Sequence, residues 1–493
     1  MKNLKGIISL KLLVAVMLFA SSCKKELQVK PTISGVETDI ATLNIGDKLT
    51  LAPNITNTKG NSYIWLVNGK ETASGQLNYT FQATEPGIFE VIFKVTNKGG
   101  TEQQSYKLTV EKPIVISLTN ELKVSMSNVL EITPAITGPD RKDYEYEWSI
   151  GDLVIGKKLN LSFISPEAGT YELTLRATAG KQSVSAKCTI AVKEEQYIKN
   201  AYTVLEYAPS PGKNHNWSII GSADNWKYGD EYPLAYNDFL AKASAIRKIN
   251  TNAALFLGSW GGSVTFKFDH TVANVSGKTD LEMNAFHSAR DLPAVYVAYD
   301  RNKNGMPDED EWYELKNDDY GLEDIPEYEM VFTYNKTETD AKRIYSYFNW
   351  KDNQPSLASG EILTNKTFTS SMTSAGAFSN RGFFPGLTVT DNSTKQTAIL
   401  DGWKSSFSRK GKRISRNITG AAPFFQKLNI DIDMAVNKKG ETIQLPGIDF
   451  VRVQKVVYPF QQDLSTGNVM TDYNMEEGRM LQVGSILDKH LKN

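Results

Sequence analysis

The stretch Asp300-Arg-Asn302-Lys-Asn304-Gly305-Met306-Pro-Asp308-Glu-Asp310-Glu311 sets oxygen-bearing side chains at alternate positions ahead of a glycine. That is calcium-loop spacing: oxygens at the first, third and fifth positions, glycine at the sixth, a carboxylate at the twelfth. Calcium takes roughly six to eight hard oxygens, and a tight turn at the glycine lets alternate side chains converge on one point. The expected ligands are Asp300, Asn302 and Asn304, the Met306 carbonyl, Asp308 through water, and a bidentate Glu311. The flanks, Val295 to Tyr299 and Trp312 to Leu315, are strand-like, and Pro307 sits where an apolar residue is usual. The pattern therefore describes a structural Ca2+ loop grafted between two strands. The competing reading is a plain Asn/Gly/Asp hairpin turn carrying surface carboxylates.

Catalytic patterns are absent from the sequence. None of His215, His270, His287 and His490 belongs to a His-x-x-His or His-Glu-x-x-His arrangement, and there is no Gly-x-Ser-x-Gly elbow. The glycines of Gly258-Ser-Trp-Gly261-Gly262 lack the lysine and helix of a phosphate loop. A carboxylate pair for glycoside hydrolysis has no sequence signature, because its members meet only in space. The reading is a protein that is not an enzyme. Several loops instead combine flat apolar area with hydrogen-bonding groups, the mixture that a large amphipathic small molecule requires. They include His215-Asn216-Trp217, Asp224-Asn225-Trp226 and Asn380-Arg381-Gly-Phe383-Phe384. Trp226 and Phe384 are the leading apolar ligand contacts, with His215, Asn225 and Arg381 as the polar ones. Each taken alone is more often a core aromatic beside a polar loop.

The elements that would position such groups begin after an export segment. Lys2 and Lys5 precede an apolar run from Ile7 to Ala20, and small residues then lead to Cys23. The run is shorter than a stable membrane span and reads as a secretory signal, residues 1–22. The cysteine after Ala20-Ser21-Ser22 resembles the lipobox of bacterial lipoproteins, which implies cleavage before Cys23 and its acylation. Several acyl chains would then hold the chain on a membrane. Only one other cysteine exists, Cys188, in the alternating run Ser183 to Val192, so it reads as a buried strand residue. A formal net charge of -1, with both signs mixed along the chain, is not the footprint of a nucleic-acid binder.

After a tether at 23–30 the sequence repeats itself. Leu49-Thr-Leu-Ala-Pro53, Tyr63-Ile-Trp65, Leu77-Asn-Tyr-Thr-Phe81 and Pro86-Gly87-Ile-Phe89 return as Leu130-Glu-Ile-Thr-Pro134, Tyr146-Glu-Trp148, Leu159-Asn-Leu-Ser-Phe163 and Ala168-Gly169-Thr-Tyr171. Trp65 and Trp148 are 83 residues apart, Gly87 and Gly169 are 82 apart. A period of this length with short alternating strands means tandem β-sandwich modules at 31–112 and 113–194. Phe89, Val91, Phe93 and Val95 are expected to face a core, with Trp65 and Trp148 filling the space between sheets. The pattern resembles the PKD-like, immunoglobulin-type modules of bacterial surface proteins, which implies a spacing or presenting role.

A polar link at Lys193 to Gln196 introduces residues 197–493, expected to form a larger, jelly-roll-like β-sandwich with a minor helix within Tyr236 to Lys248. Phe239, Ala243, Ile246 and Ile249 fall near one side of that helix. Ile430, Ile432 and Met434 alternate with Asp431 and Asp433 as in a strand, and a lobe is expected between about Ser356 and Phe424. The fold class is all-β throughout.

Three strings in order, Leu257 to His270, Val295 to Leu315, and Ile432 to Val436 followed by Leu445 to Val453, resemble the C-terminal domain of Bacteroidetes surface lipoproteins with PKD-like modules. That group includes the BtuH-like proteins that capture cobalamin. The resemblance implies capture of cobalamin or a related corrinoid at the outer face of the outer membrane, for transfer to a TonB-dependent transporter. The alternatives are a glycan or other nutrient binder, whose aromatics would stack on sugar rings, and an adhesion or structural surface protein. Lys24-Lys25-Glu26 is less acidic than the surface-export signal of this phylum, and Ser370 to Asn417 departs from the family strings.

Overall fold

The computed structural model describes residues 28–34, 40–208, 236–257, 261–287, 293–316, 425–455 and 481–492, with the further segments 324–325, 329–334, 344–353, 359–365, 387–390, 397–400, 406–410, 413–414 and 469–470. The chain is all-β with one helix among these residues. No helix among them is long and apolar enough to cross a membrane.

The first module is an immunoglobulin-like sandwich. Its main sheet runs Ile40–Asn44, Gly100–Glu111, Gly87–Asn97, Ser62–Val67, Lys70–Ser74. The first of these strands lies parallel to its neighbour, pairing Ile40 with Lys107, and the remaining pairs are antiparallel. Asn68 and Gly69, at φ 50° and 78°, make the two-residue turn between the last two strands, the conformation that favours Asn-Gly. Val91, Phe93 and Val95 are fully buried and Phe89 packs against the same core. Trp65 is 0 % exposed, stacked on Tyr79 and Tyr106, and its ring N–H donates to the Gln76 carbonyl at 3.2 Å. Alternation along one strand thus delivers one face to the core, and the indole completes it without leaving its donor unpaired.

The second module repeats this order: Glu121–Ser125, Gln182–Lys193, Gly169–Ala179, Glu145–Ile150, Leu153–Gly156. Trp148 is again fully buried, and its N–H reaches the Lys158 carbonyl at 3.1 Å. Cys188 is a buried strand residue, and burial pushes its thiol pKa up.

By compactness the chain falls into two units. One comprises Met1–Leu118, Pro134–Leu159 and Thr174–Lys187; the other comprises Thr119–Thr133, Asn160–Leu173 and Cys188–Asn493. The division passes through the second module, so part of that module clusters with the C-terminal residues.

In the C-terminal region a six-stranded sheet runs Thr203–Ala208, Ser263–Ala273, Gly447–Lys455, Pro293–Ala298, Trp312–Leu315, Ala435–Val436. A four-stranded sheet runs Leu255–Phe256, Gln482–Asp488, Leu281–His287, Phe425–Ile430. Val264, Phe266, Val297, Val451 and Val453 from the first share one buried cluster with Leu281, Met283, Val483 and Ile486 from the second. A further sheet is built on Glu329–Tyr334, Ile344–Asp352 and Ser359–Asn365.

The helix spans Tyr236–Ile249 and buries Phe239, Ala243 and Arg247, one stripe at successive four-residue steps. Two expectations are corrected here. Ile249 is 86 % exposed, and the buried end of the stripe is Arg247. Ile432–Met434 is not strand but a short 3-10 turn, with Met434 exposed. Asp431 accepts the Asp433 N–H at 2.9 Å and buried Asp280 accepts the Ile432 N–H at 2.9 Å, so side-chain acceptors replace the ladder there.

Candidate functional site

The strands Pro293–Ala298 and Trp312–Leu315 pair antiparallel, Ala298 opposite Trp312, so the Asp300 loop is a hairpin connection in the six-stranded sheet. Its backbone is bent by Lys303 and Gly305 at φ 56° and 84°. A Cβ added at Gly305 would meet the Lys267 ammonium at 3.2 Å. That ammonium donates to the Gly305 carbonyl at 2.8 Å, so glycine serves both the turn and the close approach.

Inside the loop the side chains bond its own backbone and one another. Asp300 accepts the N–H of Asn304 at 3.0 Å and of Gly305 at 2.8 Å. Asn302 also accepts the Asn304 N–H at 3.0 Å, and Asn304 accepts the Met306 N–H at 2.7 Å. The amide groups of Asn302 and Asn304 donate to one Asp308 oxygen at 2.6 and 3.1 Å. Glu311 is 2 % exposed and reaches back along the loop, accepting the N–H of Arg301 at 2.9 Å and of Asp308 at 3.1 Å.

This geometry is that of a loop closed by its own hydrogen bonds. A cation at the centre would need the two amides turned to present oxygen in place of N–H, a rotation that the hydrogen-bond network alone determines. Asp300 and Glu311 each hold two backbone N–H groups, one on each carboxylate oxygen, and every oxygen so bonded keeps a further lone pair for a cation. Among the described residues no group of three or more His, Cys, Asp or Glu side chains is arranged to hold a metal.

The loop is tied to the sheet behind it. Asp449 accepts the Asp300 N–H at 2.8 Å and the Thr271 hydroxyl at 2.6 Å, and burial raises its carboxyl pKa. Tyr299 is pushed up to about 12 by burial, with Asp449, Glu131, Asp300 and Glu311 adding to the shift. Arg452 lies over the Trp312 ring at 4.3 Å and donates to Thr265 at 3.2 Å.

Two buried polar centres were not legible from spacing. The guanidinium of Arg247 donates to the carbonyls of Ala253 at 2.8 Å, Val483 at 3.4 Å, Ala201 at 3.3 Å and Gly484 at 2.7 Å, and it lies 4.2 Å from the Phe266 ring centroid. Burial pulls its pKa down to about 9, so it stays charged at neutral pH. Its Nε has no hydrogen-bond partner. The second centre joins His270, whose side chain is 0 % exposed, to Asp269 and Asp488, and His490 to Asp280. The signal available in sequence was only that Asp269-His270 interrupts an apolar strand.

The five residues expected to hold a ligand, His215, Asn225, Trp226, Arg381 and Phe384, lie outside the described residues, as does Cys23.

Residues 30–97 match the family model for a PKD-like domain. No curated protein sequence matches the chain. Among solved structures, the titin I67-I69 fragment is 12 % identical, with 68 % of this chain and 97 % of that one covered at a TM-score of 0.28. A Dscam structure is 15 % identical over 33 % of this chain and 45 % of its own, at 0.23, so this chain spans under half of that relative. The fibronectin(III)-like modules of Clostridium thermocellum CbhA are 13 % identical over 33 % of this chain and 94 % of theirs, at 0.21.

Proposed function

We propose that the chain is a non-enzymatic surface protein that holds out its C-terminal domain for binding, with the two PKD-like modules as its spacer. The observation that carries this is the fate of the repeated residues. Trp65 and Trp148 are both fully buried and both bond carbonyls of their own module. What recurs between the modules therefore serves folding. On their faces charges pair locally, as Arg176 does with Glu147.

Recognition then belongs to the C-terminal domain, whose sequence carries the aromatic, amide-rich segments. A lipid anchor at Cys23, facing outward from the outer membrane, would give the spacer something to stand on. Calcium belongs to this reading as a structural ion of the Asp300 loop. Capture of a corrinoid for a TonB-dependent transporter rests on strings that pack inward: Val264, Phe266, Phe268, Val297, Ile432, Leu445 and Val453 are all core residues. Those strings speak for the framework of the domain more than for its ligand.

The test is a calorimetric titration of the full chain against a panel of polysaccharides and against cyanocobalamin. A polysaccharide signal supports presentation of a glycan-binding domain, and a micromolar cobalamin signal moves the reading to corrinoid capture. Silence with every ligand removes the binding role and leaves a structural one. The anchor is tested alongside: Cys23→Ala is expected to leave the membrane fraction, and a variant that stays there refutes lipidation.

A further inference from the structure

The passage from the second module into the C-terminal domain is bonded at nearly every residue. The Met126 N–H donates to the Lys193 carbonyl at 2.8 Å, and the Tyr197 hydroxyl donates to the Met126 carbonyl at 3.0 Å. The Ile198 N–H donates to Asp269 at 3.1 Å, the Asp488 N–H to the Lys199 carbonyl at 2.9 Å, and the Thr271 N–H to the Ser127 carbonyl at 3.2 Å. All these residues fall within one compact unit.

His270 sits at the centre of this joint. Its Nδ1 is 2.7 Å from Asp269 and its Nε2 is 3.0 Å from Asp488, while the Tyr197 ring lies 4.9 Å away, centroid to centroid. A neutral imidazole has one N–H, so one of the two carboxylates would face a bare lone pair of a ring that is itself fully buried. Only the imidazolium donates to both. Asp269 also takes the linker's Ile198 N–H, and the residue that carries the second carboxylate, Asp488, holds the Lys199 carbonyl through its backbone N–H.

We propose that the His270 imidazolium latches the linker 193–200 and the 125–128 turn to the C-terminal domain, and that losing its proton opens the joint. The ionisable groups facing the ring are Asp269 from its own strand, Asp488 from the last strand and Tyr197 from the linker. His490 and Asp280, bonded at 2.8 Å, form the next layer beyond Asp488. Burial lowers the affinity of His270 for its proton, and the hydrogen bonds to Asp488 and Asp269 more than offset this, so its pKa is raised. Burial also raises the Tyr197 phenol, which stays neutral through the window concerned. A raised folded value means the stabilisation is complete below the unfolded value of about 6.5 and is lost as pH rises through the folded one. The joint is therefore tight in mild acid and loosens towards alkaline pH.

The experiment uses the full chain. Histidine Cε1–H resonances, assigned with the single variant His270→Gln, are followed across pH 5 to about 9, and backbone hydrogen exchange is mapped in parallel with intrinsic rates corrected. One resonance is expected to titrate above the ordinary histidine value. Exchange in peptides 125–128 and 193–200 is expected to rise by about tenfold for each pH unit between the free and the latched values. In His270→Gln those peptides exchange fast at every pH. If that variant does not fold, the wild-type titration still decides, with the resonance assigned through Asp488→Asn. A His270 resonance at or below the ordinary value, or joint peptides whose protection ignores pH, overturns the latch.

Discussion

The first module and the C-terminal domain solve the same problem, closing an all-β core, by different means. In the module, long neighbouring strands such as Gly87–Asn97 and Gly100–Glu111 pair through a short turn, and a single indole fills the centre. Its buried polar side chain Asn97 is neutral and donates to the carbonyls of Val29 and Asn57. In the C-terminal domain the last strand, Gln482–Asp488, pairs with Leu281–His287 and Leu255–Phe256, far back in the chain. There buried charge pins elements that sequence keeps apart: Arg247 of the helix grips carbonyls of the last strand, and Asp488 of that strand grips His270. A core closed by packing fails through a cavity. One closed by buried charge fails through the groups left unpaired.

That contrast can be broken by substitution. The largest effect is expected from Arg247→Ala, which strands four carbonyl partners and removes the packing on Phe266. A loss of about 5 kcal/mol is expected, combining a cavity with unsatisfied acceptors. Calorimetric scans of the full chain should show the C-terminal transition moving down while the first module keeps its own. A C-terminal transition that does not move would mean the buried guanidinium is replaceable by solvent.

Next in size is Trp65→Ala, with a loss of about 4 kcal/mol confined to the first module. Trp148→Ala should do the same to the second, and because part of that module clusters with the C-terminal residues it should disturb their transition as well. Equal and isolated effects of the two substitutions would show that the second module is as independent as the first.

The smallest effect sharpens the reading of the Asp300 loop. Glu311→Gln removes one of the two acceptors that staple Arg301 and Asp308, expected to cost about 2 kcal/mol of C-terminal stability. Under a calcium site, a chelator lowers the wild-type transition, and added calcium restores it in proportion to occupancy. Under a hydrogen-bonded turn, the wild-type transition ignores both while Glu311→Gln still destabilises.

Legibility in the sequence followed the same divide. The modules could be read because their strands are contiguous, their turns carry Asn-Gly or Gly, and each feature appears twice. The hairpin that bears Asp300 was equally plain, since both flanking strands and the bent loop lie in one stretch. Arg247 could not be read, because helical spacing marks it as part of the apolar stripe while its residue type argues for solvent; only distant carbonyls reconcile the two. His270 and Asp488 meet across 218 residues, and no local pattern announces such a pair. Ile432 to Met434 imitated a strand because alternation is blind to the carboxylates of Asp280 and Asp431, which turn the backbone there.

The division of labour between spacer and binding domain is tested most directly by mapping where a ligand protects the full chain. Hydrogen exchange is measured with and without each polysaccharide or cobalamin that gives a calorimetric signal. Presentation on a spacer predicts protection confined to residues 197–493, with the modules at 31–194 unchanged. Protection that falls on the module faces, with the C-terminal domain unchanged, would contradict it.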